Sequence, residues 1–205
     1  MSPTSSSSLG RELAAAGRFA SGRGWLPATS GNLSGRLDAR RILVTASGTD
    51  KGALTERDFL VVDGSDGPVE DARRASAEVA LHHALYARAR SIGAVLHTHS
   101  RAATVLSRVT SEALVLEGWE LSKALAGVET HEARVVLPVI ANDQDVPRLA
   151  ARASAALDAH PGAPGYLIAG HGTYTWGSSV REALRHLEAI EFLLACELDR
   201  RILAR

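Results

Sequence analysis

The sequence predicts an α/β protein, because short apolar strands alternate along the chain with longer helical segments. The runs 41–45 and 94–97 are rich in branched aliphatic residues, which is typical of buried strands. No internal repeat or interior linker interrupts this alternation. We therefore expect a single domain over residues 9–205, preceded by a serine-rich lead over residues 1–8 that we expect to be disordered.

Composition limits the function classes. The 205 residues include 45% hydrophobic and 22% charged residues, the ordinary balance of a globular protein. Because 23 basic residues balance 23 acidic ones, neither nucleic acid nor an anionic membrane is an expected partner. The single cysteine, Cys196, cannot form an internal disulfide, and the first residues lack the basic start and apolar core of a signal peptide. We expect a cytoplasmic protein.

The first half of the chain alternates helix and strand. Residues 9–20 are alanine-rich with apolar positions at helical spacing, and Gly22 and Gly24 end the segment. Strands are predicted at 41–45, 59–63 and 93–97. Ser76 is a predicted cap for a helix over 76–90.

The second half continues the alternation. A helix is predicted from 100 to 107, and a strand from 134 to 140 contains Pro138, which favours an edge or a bulge. Asp145 begins a helix that reaches residue 159, and a strand follows at 166–169. Ser179, with Glu182 three residues later, forms a predicted capping box for a helix that ends near residue 202.

Three histidines are candidate metal ligands. His97 and His99 end an apolar strand, and side chains two residues apart on a strand point the same way. Two imidazoles on one face can bind one metal ion, although a pair of half-exposed histidines remains the alternative. His171 lies between Gly170 and Gly172, which permit close approach of the backbone, so we take it as the third ligand ahead of a generic glycine turn.

Two donor-rich loops are candidate phosphate sites. The first contains Ser30, Gly31 and Asn32, and the second contains Ser47, Gly48 and Lys51. Backbone N–H groups, hydroxyls and one cation suit a phosphate group, but the P-loop spacing is absent and two ordinary surface turns remain an alternative.

Two glutamates have two interpretations each. Glu78 lies in the predicted first turn of the helix over 76–90, where a carboxylate suits the helix dipole, but the same position can aim it at a metal. Glu120 follows Trp119 and is by default a solvated charge. His82 and His83 have no partner at metal-ligand spacing, so they are interpreted as structural or surface residues.

In their order and spacing, five motifs together resemble the class II aldolase/adducin family from about residue 9 to 203. They are the segments 29–32, 45–48, 76–78, 97–99 and 170–172. The resemblance implies a three-layer α/β/α sandwich with a central, mainly antiparallel sheet. It also implies one zinc ion per subunit, held by His97, His99 and His171, and a homotetramer whose active sites lie near subunit boundaries.

Within the family, the segments 45–54, 119–123 and 170–177 are similar to a branch that dehydrates a sugar phosphate. This implies conversion of 5-methylthioribulose 1-phosphate to 5-methylthio-2,3-dioxopentyl phosphate in methionine salvage. Glu120 would be the acid/base group, with its pKa raised by burial, and Glu78 an extra ligand or base. A class II sugar-phosphate aldolase or 4-epimerase, and a non-catalytic adducin-like interaction module, remain alternatives.

Overall fold

The computed structural model describes residues 6–64 and 73–204, which contain five α-helices and eight strands. The helices are α1 (Ser6–Gly22), α2 (Val79–Arg88), α3 (Arg101–Val109), α4 (Val146–Ala159) and α5 (Val180–Leu203). The strands are β1 (Asn32–Arg36), β2 (Arg41–Thr45), β3 (Phe59–Asp63), β4 (Ala94–Thr98), β5 (Ala113–Leu116), β6 (Val135–Ile140), β7 (Gly165–Ile168) and β8 (Gly172–Gly177).

All eight strands form one sheet in the order β3-β2-β1-β4-β8-β7-β6-β5. Every neighbouring pair is antiparallel except β6 and β7. Because side chains alternate along a strand, Val95 packs with α2 and α4 on one face, while Leu96 packs with α1 and α5 on the other. The third core cluster joins α3 and α5 to the β5–β7 end of the sheet. The expected three-layer sandwich with a mainly antiparallel sheet is confirmed.

The predicted start of the first helix is wrong by three residues. The lead was expected to be disordered through residue 8, but α1 begins at Ser6, and Arg11 Nη1 donates to Ser7 Oγ over 2.7 Å. The serines extend the first turn because the buried face of α1 starts only at Leu9, which leaves the preceding turn free to be polar. The remaining part of the lead, residues 1–5, lies outside the described residues.

Pro138 does not mark an edge strand, because β5 lies outside β6. In β6, residues 135–138 pair with β5, and only Val139 and Ile140 pair with β7. The backbone N–H of Val139 donates to Glu112 O over 2.8 Å. Pro138 is tolerated because it lies where the pairing of β6 changes from one neighbour to the other, so its missing donor interrupts neither ladder.

None of the helices in the described part of the chain is long and apolar enough to cross a membrane.

Candidate metal centre

His97 and His99 lie at the end of β4, in the middle of the sheet. His97 is paired with Tyr174 of β8 and is fully buried, and its ring stacks on that of Tyr174 with centroids 4.0 Å apart. His99 is one residue beyond the strand, where its N–H donates to Trp25 O over 2.8 Å. The two Nε2 atoms are 2.8 Å apart, so the predicted common orientation of the two histidines is confirmed.

His171 reaches the same point from the turn between β7 and β8. Its Nε2 lies 3.1 Å from His99 Nε2 and 3.3 Å from His97 Nε2. The next residue, Gly172, packs so closely against β4 that a Cβ there would lie 1.9 Å from Thr98 O. The prediction that glycine permits close approach here is confirmed, because any larger residue would push His171 away from the other two histidines.

The Nε2 atoms of the three imidazoles converge on one point. His97 Nδ1–H donates to Thr173 O over 2.9 Å, which leaves Nε2 unprotonated in the neutral ring. Burial, followed by repulsion from neighbouring histidines, lowers the pKa of His99 to about 3 and also lowers the pKa of His171. Neutral imidazole nitrogens that converge within 3.3 Å, together with the nearby Glu78 carboxylate, can share one cation, so this donor set fits a divalent metal ion.

Glu78 completes the cluster. It is the residue immediately before α2, where it makes no side-chain cap. Its Oε2 lies 3.2 Å from His97 Nε2, and its Oε1 lies 3.3 Å from His171 Nε2. Burial acts to raise the pKa of Glu78, but His97, His171 and the Asn32 amide outweigh it, so the pKa is well below its usual value.

The predicted cap of α2 is therefore corrected. Ser76 lies in the turn that precedes the helix, where its carbonyl accepts from Val79 N over 3.2 Å. Because Glu78 stands outside the helix, its carboxylate points at the histidines instead of lining the first turn.

A cavity of about 270 Å³ opens beside the cluster. Its lining combines both donor-rich loops with the metal centre and includes Gly31, Asn32, Ser47, Gly48, Lys51, Glu78, His99 and His171. Lys51 is only 2% exposed, and its Nζ donates to Thr29 O over 3.0 Å and to Thr49 O over 2.8 Å. Burial lowers the pKa of Lys51. Two backbone carbonyls thus hold the amine of Lys51 at the cavity, with one donor position left for a ligand.

Two of the candidate phosphate residues are placed differently from the rest. Asn32 lines the cavity, but its Nδ2 donates to Glu78 Oε2 over 2.8 Å and its Oδ1 is hydrogen-bonded to His82, so one amide hydrogen and the amide oxygen are already engaged. Ser30 is not among the residues that line the cavity, although its buried Oγ has no hydrogen-bond partner among the described residues.

Glu120 is not brought to the cavity of its own chain. It begins a short 3₁₀ segment (Glu120–Ala124), its side chain is 71% exposed, and it forms ion pairs with Lys123 and, at 3.8 Å, with His131. The hydrogen bond from Lys123 lowers its pKa. The expectation that burial raises the pKa of Glu120 is therefore wrong for the single chain.

Sequence reasoning missed Tyr174 and His82. Tyr174 donates to Glu78 Oε2 over 3.0 Å, and His82 is hydrogen-bonded to Asn32. The alternation of residues 172–177 could have identified β8 and hence Tyr174, but nothing local to His82 indicates its partner.

Comparison with known proteins shows the family of this chain. A family model described as the class II aldolase and adducin N-terminal domain matches residues 11–198. A protein of Pseudomonas aeruginosa named methylthioribulose-1-phosphate dehydratase is 54% identical over 191 residues, covering 93% of each chain. A protein of the same name from Azotobacter vinelandii is 52% identical over 204 residues, covering 99% of this chain and 98% of its own.

Solved structures show the same fold. L-fuculose-1-phosphate aldolase from Thermus thermophilus matches with a TM-score of 0.75 at 26% identity, covering 94% of this chain and 95% of its own. Another L-fuculose 1-phosphate aldolase matches with a TM-score of 0.82 at 23% identity, covering 100% of this chain and 92% of its own.

Proposed function

This chain belongs to the class II aldolase and adducin family, and we propose that it catalyses the dehydration of 5-methylthioribulose 1-phosphate to 5-methylthio-2,3-dioxopentyl phosphate in methionine salvage. The observation that carries the proposal is the identity of 52–54%, along nearly the whole chain, to proteins named for this dehydration. The cluster of three histidines and Glu78 supports an enzyme over a non-catalytic adducin-like module. We treat residues 9–205 as one cytoplasmic catalytic domain.

The metal of the proposed enzyme is zinc, one ion per subunit, held by His97, His99 and His171. Imidazole nitrogens suit zinc, and three of them converge here. When bound, the ion supplies a Lewis acid that polarises the substrate carbonyl. The neutral rings need no deprotonation before they bind the ion, because the pKa values of His99 and His171 are lowered.

Glu78 is assigned as a further ligand and not as a base. Its Oε2 already accepts from Asn32 Nδ2 and from the Tyr174 hydroxyl. A carboxylate that is held by two donors and has a lowered pKa is a poor proton acceptor, because it must give up these hydrogen bonds when it is protonated. The low basicity of Glu78 argues against the aldolase hypothesis, in which Glu78 is the base.

The substrate phosphate is assigned to the second loop and Lys51. The amine of Lys51 is held at the cavity, and the loop offers the hydroxyl of Ser47 and the backbone N–H of Gly48. The backbone N–H of Ser47 already donates to Arg74 O. Gly31 contributes from the opposite loop. Ser30 precedes it, and its buried hydroxyl has no hydrogen-bond partner among the described residues. Asn32 can contribute only the second hydrogen of its Nδ2, because the first hydrogen and the amide oxygen are engaged.

Glu120 is assigned as the acid/base group. It takes the C3 proton of the substrate and returns a proton to the C4 hydroxyl, which leaves as water. The C3–H electron pair forms a C3–C4 double bond, and the resulting enol tautomerises to the diketone. Because Glu120 is exposed and lies outside the cavity of its own chain, this role requires an assembly in which it enters a neighbouring subunit's cavity. We propose a homotetramer as that assembly.

The test is product analysis with a matched pair of variants. Wild-type protein with zinc should convert 5-methylthioribulose 1-phosphate to a product lighter by one water, without a three-carbon phosphate. Glu120→Gln should lose roughly two or more orders of magnitude in kcat while it keeps its metal. Glu117→Gln changes a nearby exposed glutamate and should behave as wild type.

The same experiment can overturn the assignment. Dihydroxyacetone phosphate as the main product, with Glu120→Gln still active, would assign the protein to the aldolases. If the wild-type protein bound less than about half an equivalent of metal, the interaction-module reading would be favoured instead.

A further inference from the structure

A chain of buried polar side chains extends behind the metal centre, away from the cavity. Glu78 Oε2 accepts from Asn32 Nδ2 over 2.8 Å, and Asn32 Oδ1 is hydrogen-bonded to His82 Nε2. His82 Nδ1 lies 2.7 Å from Ser34 Oγ, which lies 2.8 Å from the hydroxyl of Tyr86. His82 is completely buried, so no water replaces these partners.

The direction of every hydrogen bond in this chain follows from its end at Glu78. The ionised carboxylate only accepts, so Asn32 must donate to it and present its Oδ1 to His82. His82 must then donate from Nε2 and accept at Nδ1, which is the neutral form that burial favours by lowering its pKa to about 3. Ser34 donates to His82 Nδ1 and accepts from Tyr86. Each member donates toward the metal centre.

The side-chain periodicities of strand β1 and helix α2 bring the members of this hydrogen-bond chain together. Asn32 and Ser34 are two residues apart on β1, so their side chains share a face of the sheet. His82 and Tyr86 are four residues apart on α2, so they share a face of that helix. Asn32 is also the register partner of His97 in β4, so the packing of α2 on β1 is transmitted directly to the metal ligands.

We infer that His82 is a positioning residue of the metal centre, which holds the Glu78 carboxylate in place through Asn32. The inference rests on the metal site of the proposed function. Most side-chain hydrogen bonds in proteins go to backbone or water, whereas here the hydrogen-bond chain ends on a carboxylate beside two histidine ligands. Outer partners of this kind orient the groups that bind the metal, and their loss typically weakens metal binding roughly 10- to 100-fold.

Two substitutions of His82 and one neighbouring control test this role. His82→Phe keeps a planar ring but removes the donor to Asn32, and we expect zinc and Co²⁺ to bind roughly 10- to 100-fold more weakly in competition with a chelator. His82→Gln keeps an N–H donor near the position of Nε2 and should recover most of the affinity. His83→Gln alters the next residue of α2, whose Nε2 has no hydrogen-bond partner among the described residues, and should bind metal as the wild type does.

Variants farther along the hydrogen-bond chain distinguish a positioning role of His82 from a purely structural one. Ser34→Ala and Tyr86→Phe each remove a buried hydroxyl, so both should lower the urea midpoint of the metal-free protein. The loss of metal affinity should instead decrease with distance from Glu78, from His82→Phe through Ser34→Ala to Tyr86→Phe. The test remains possible if His82→Phe does not fold, because Ser34→Ala and His82→Gln also change the hydrogen bonds of His82.

Equal metal affinity in the wild type, His82→Phe and Ser34→Ala, with lowered urea midpoints, would show that His82 is only structural and would overturn the inference. The proposed function would survive that result. If the wild-type protein itself failed to bind zinc or Co²⁺, the proposed metal site would fail, and this inference would fail with it.

Discussion

Replacing Gly172 with alanine is expected to separate β8 from β4 beside the metal centre. A Cβ at Gly172 would lie 1.9 Å from Thr98 O, and since contacts below 3.0 Å are essentially never observed, the strands must part by about 1 Å. Overpacking of this kind costs about 1–3 kcal/mol. At about 2–4 °C for each kcal/mol in a chain of this size, the melting temperature of the metal-free protein should fall by roughly 2–12 °C.

The metal affinity should also fall, because His171 directly precedes Gly172 and His99 directly follows Thr98. A shift of about 1 Å greatly exceeds the roughly 0.2 Å tolerance of metal–ligand distances. Calorimetry of the metal-free protein and chelator competition measure the two effects. Gly162→Ala is the control, since a Cβ there meets no atom within 4 Å and should change neither quantity. A Gly172→Ala variant with wild-type melting temperature and metal affinity would refute the reasoning.

The charges of the site predict three further results. The metal-free protein should lose stability as the pH falls from about 6.5 to 3. The reason is that His82 and His99, whose pKa values are lowered to about 3, bind protons in that range only after unfolding. Constant urea midpoints between about pH 6.5 and 4 would contradict this prediction. Lys51→Ala should raise KM about 10-fold or more and lower kcat less, since the phosphate is remote from the reacting carbons. Equal losses in the two steady-state parameters would instead assign Lys51 a role in orienting those carbons. Co-assembled Glu120→Gln and His97→Ala subunits, each inactive alone, should regain about a quarter of wild-type activity if Glu120 acts in a neighbouring subunit's cavity, and none if it acts within its own chain.

The sequence determined the features that depend on local periodicity and local chemistry. His97 and His99 share a face because side chains on a strand repeat every two residues, and this holds in any fold that contains the strand. Asp145 and Ser179 also cap their helices as predicted, because a capping side chain bonds to backbone only three residues away. The predicted capping box is wrong in its second half, since Glu182 Oε2 accepts from the backbone N–H of Ser178 instead of that of Ser179. The role of the glycine beside His171 could be expected for a similar reason, since only glycine lacks a Cβ.

The tertiary structure decided everything that depends on a distant partner. The helix pattern around His82 does not reveal that Asn32, fifty residues earlier, meets it in the core, where the contact engages the amide oxygen of Asn32. Glu78 faces the histidines because α2 starts one residue after it, a boundary that local sequence places only within a few residues. Glu120 lies at the surface because no described residue of its own chain covers it, and local sequence does not show which distant residues cover a side chain. Local preferences thus orient individual side chains, whereas long-range packing determines which of them meet.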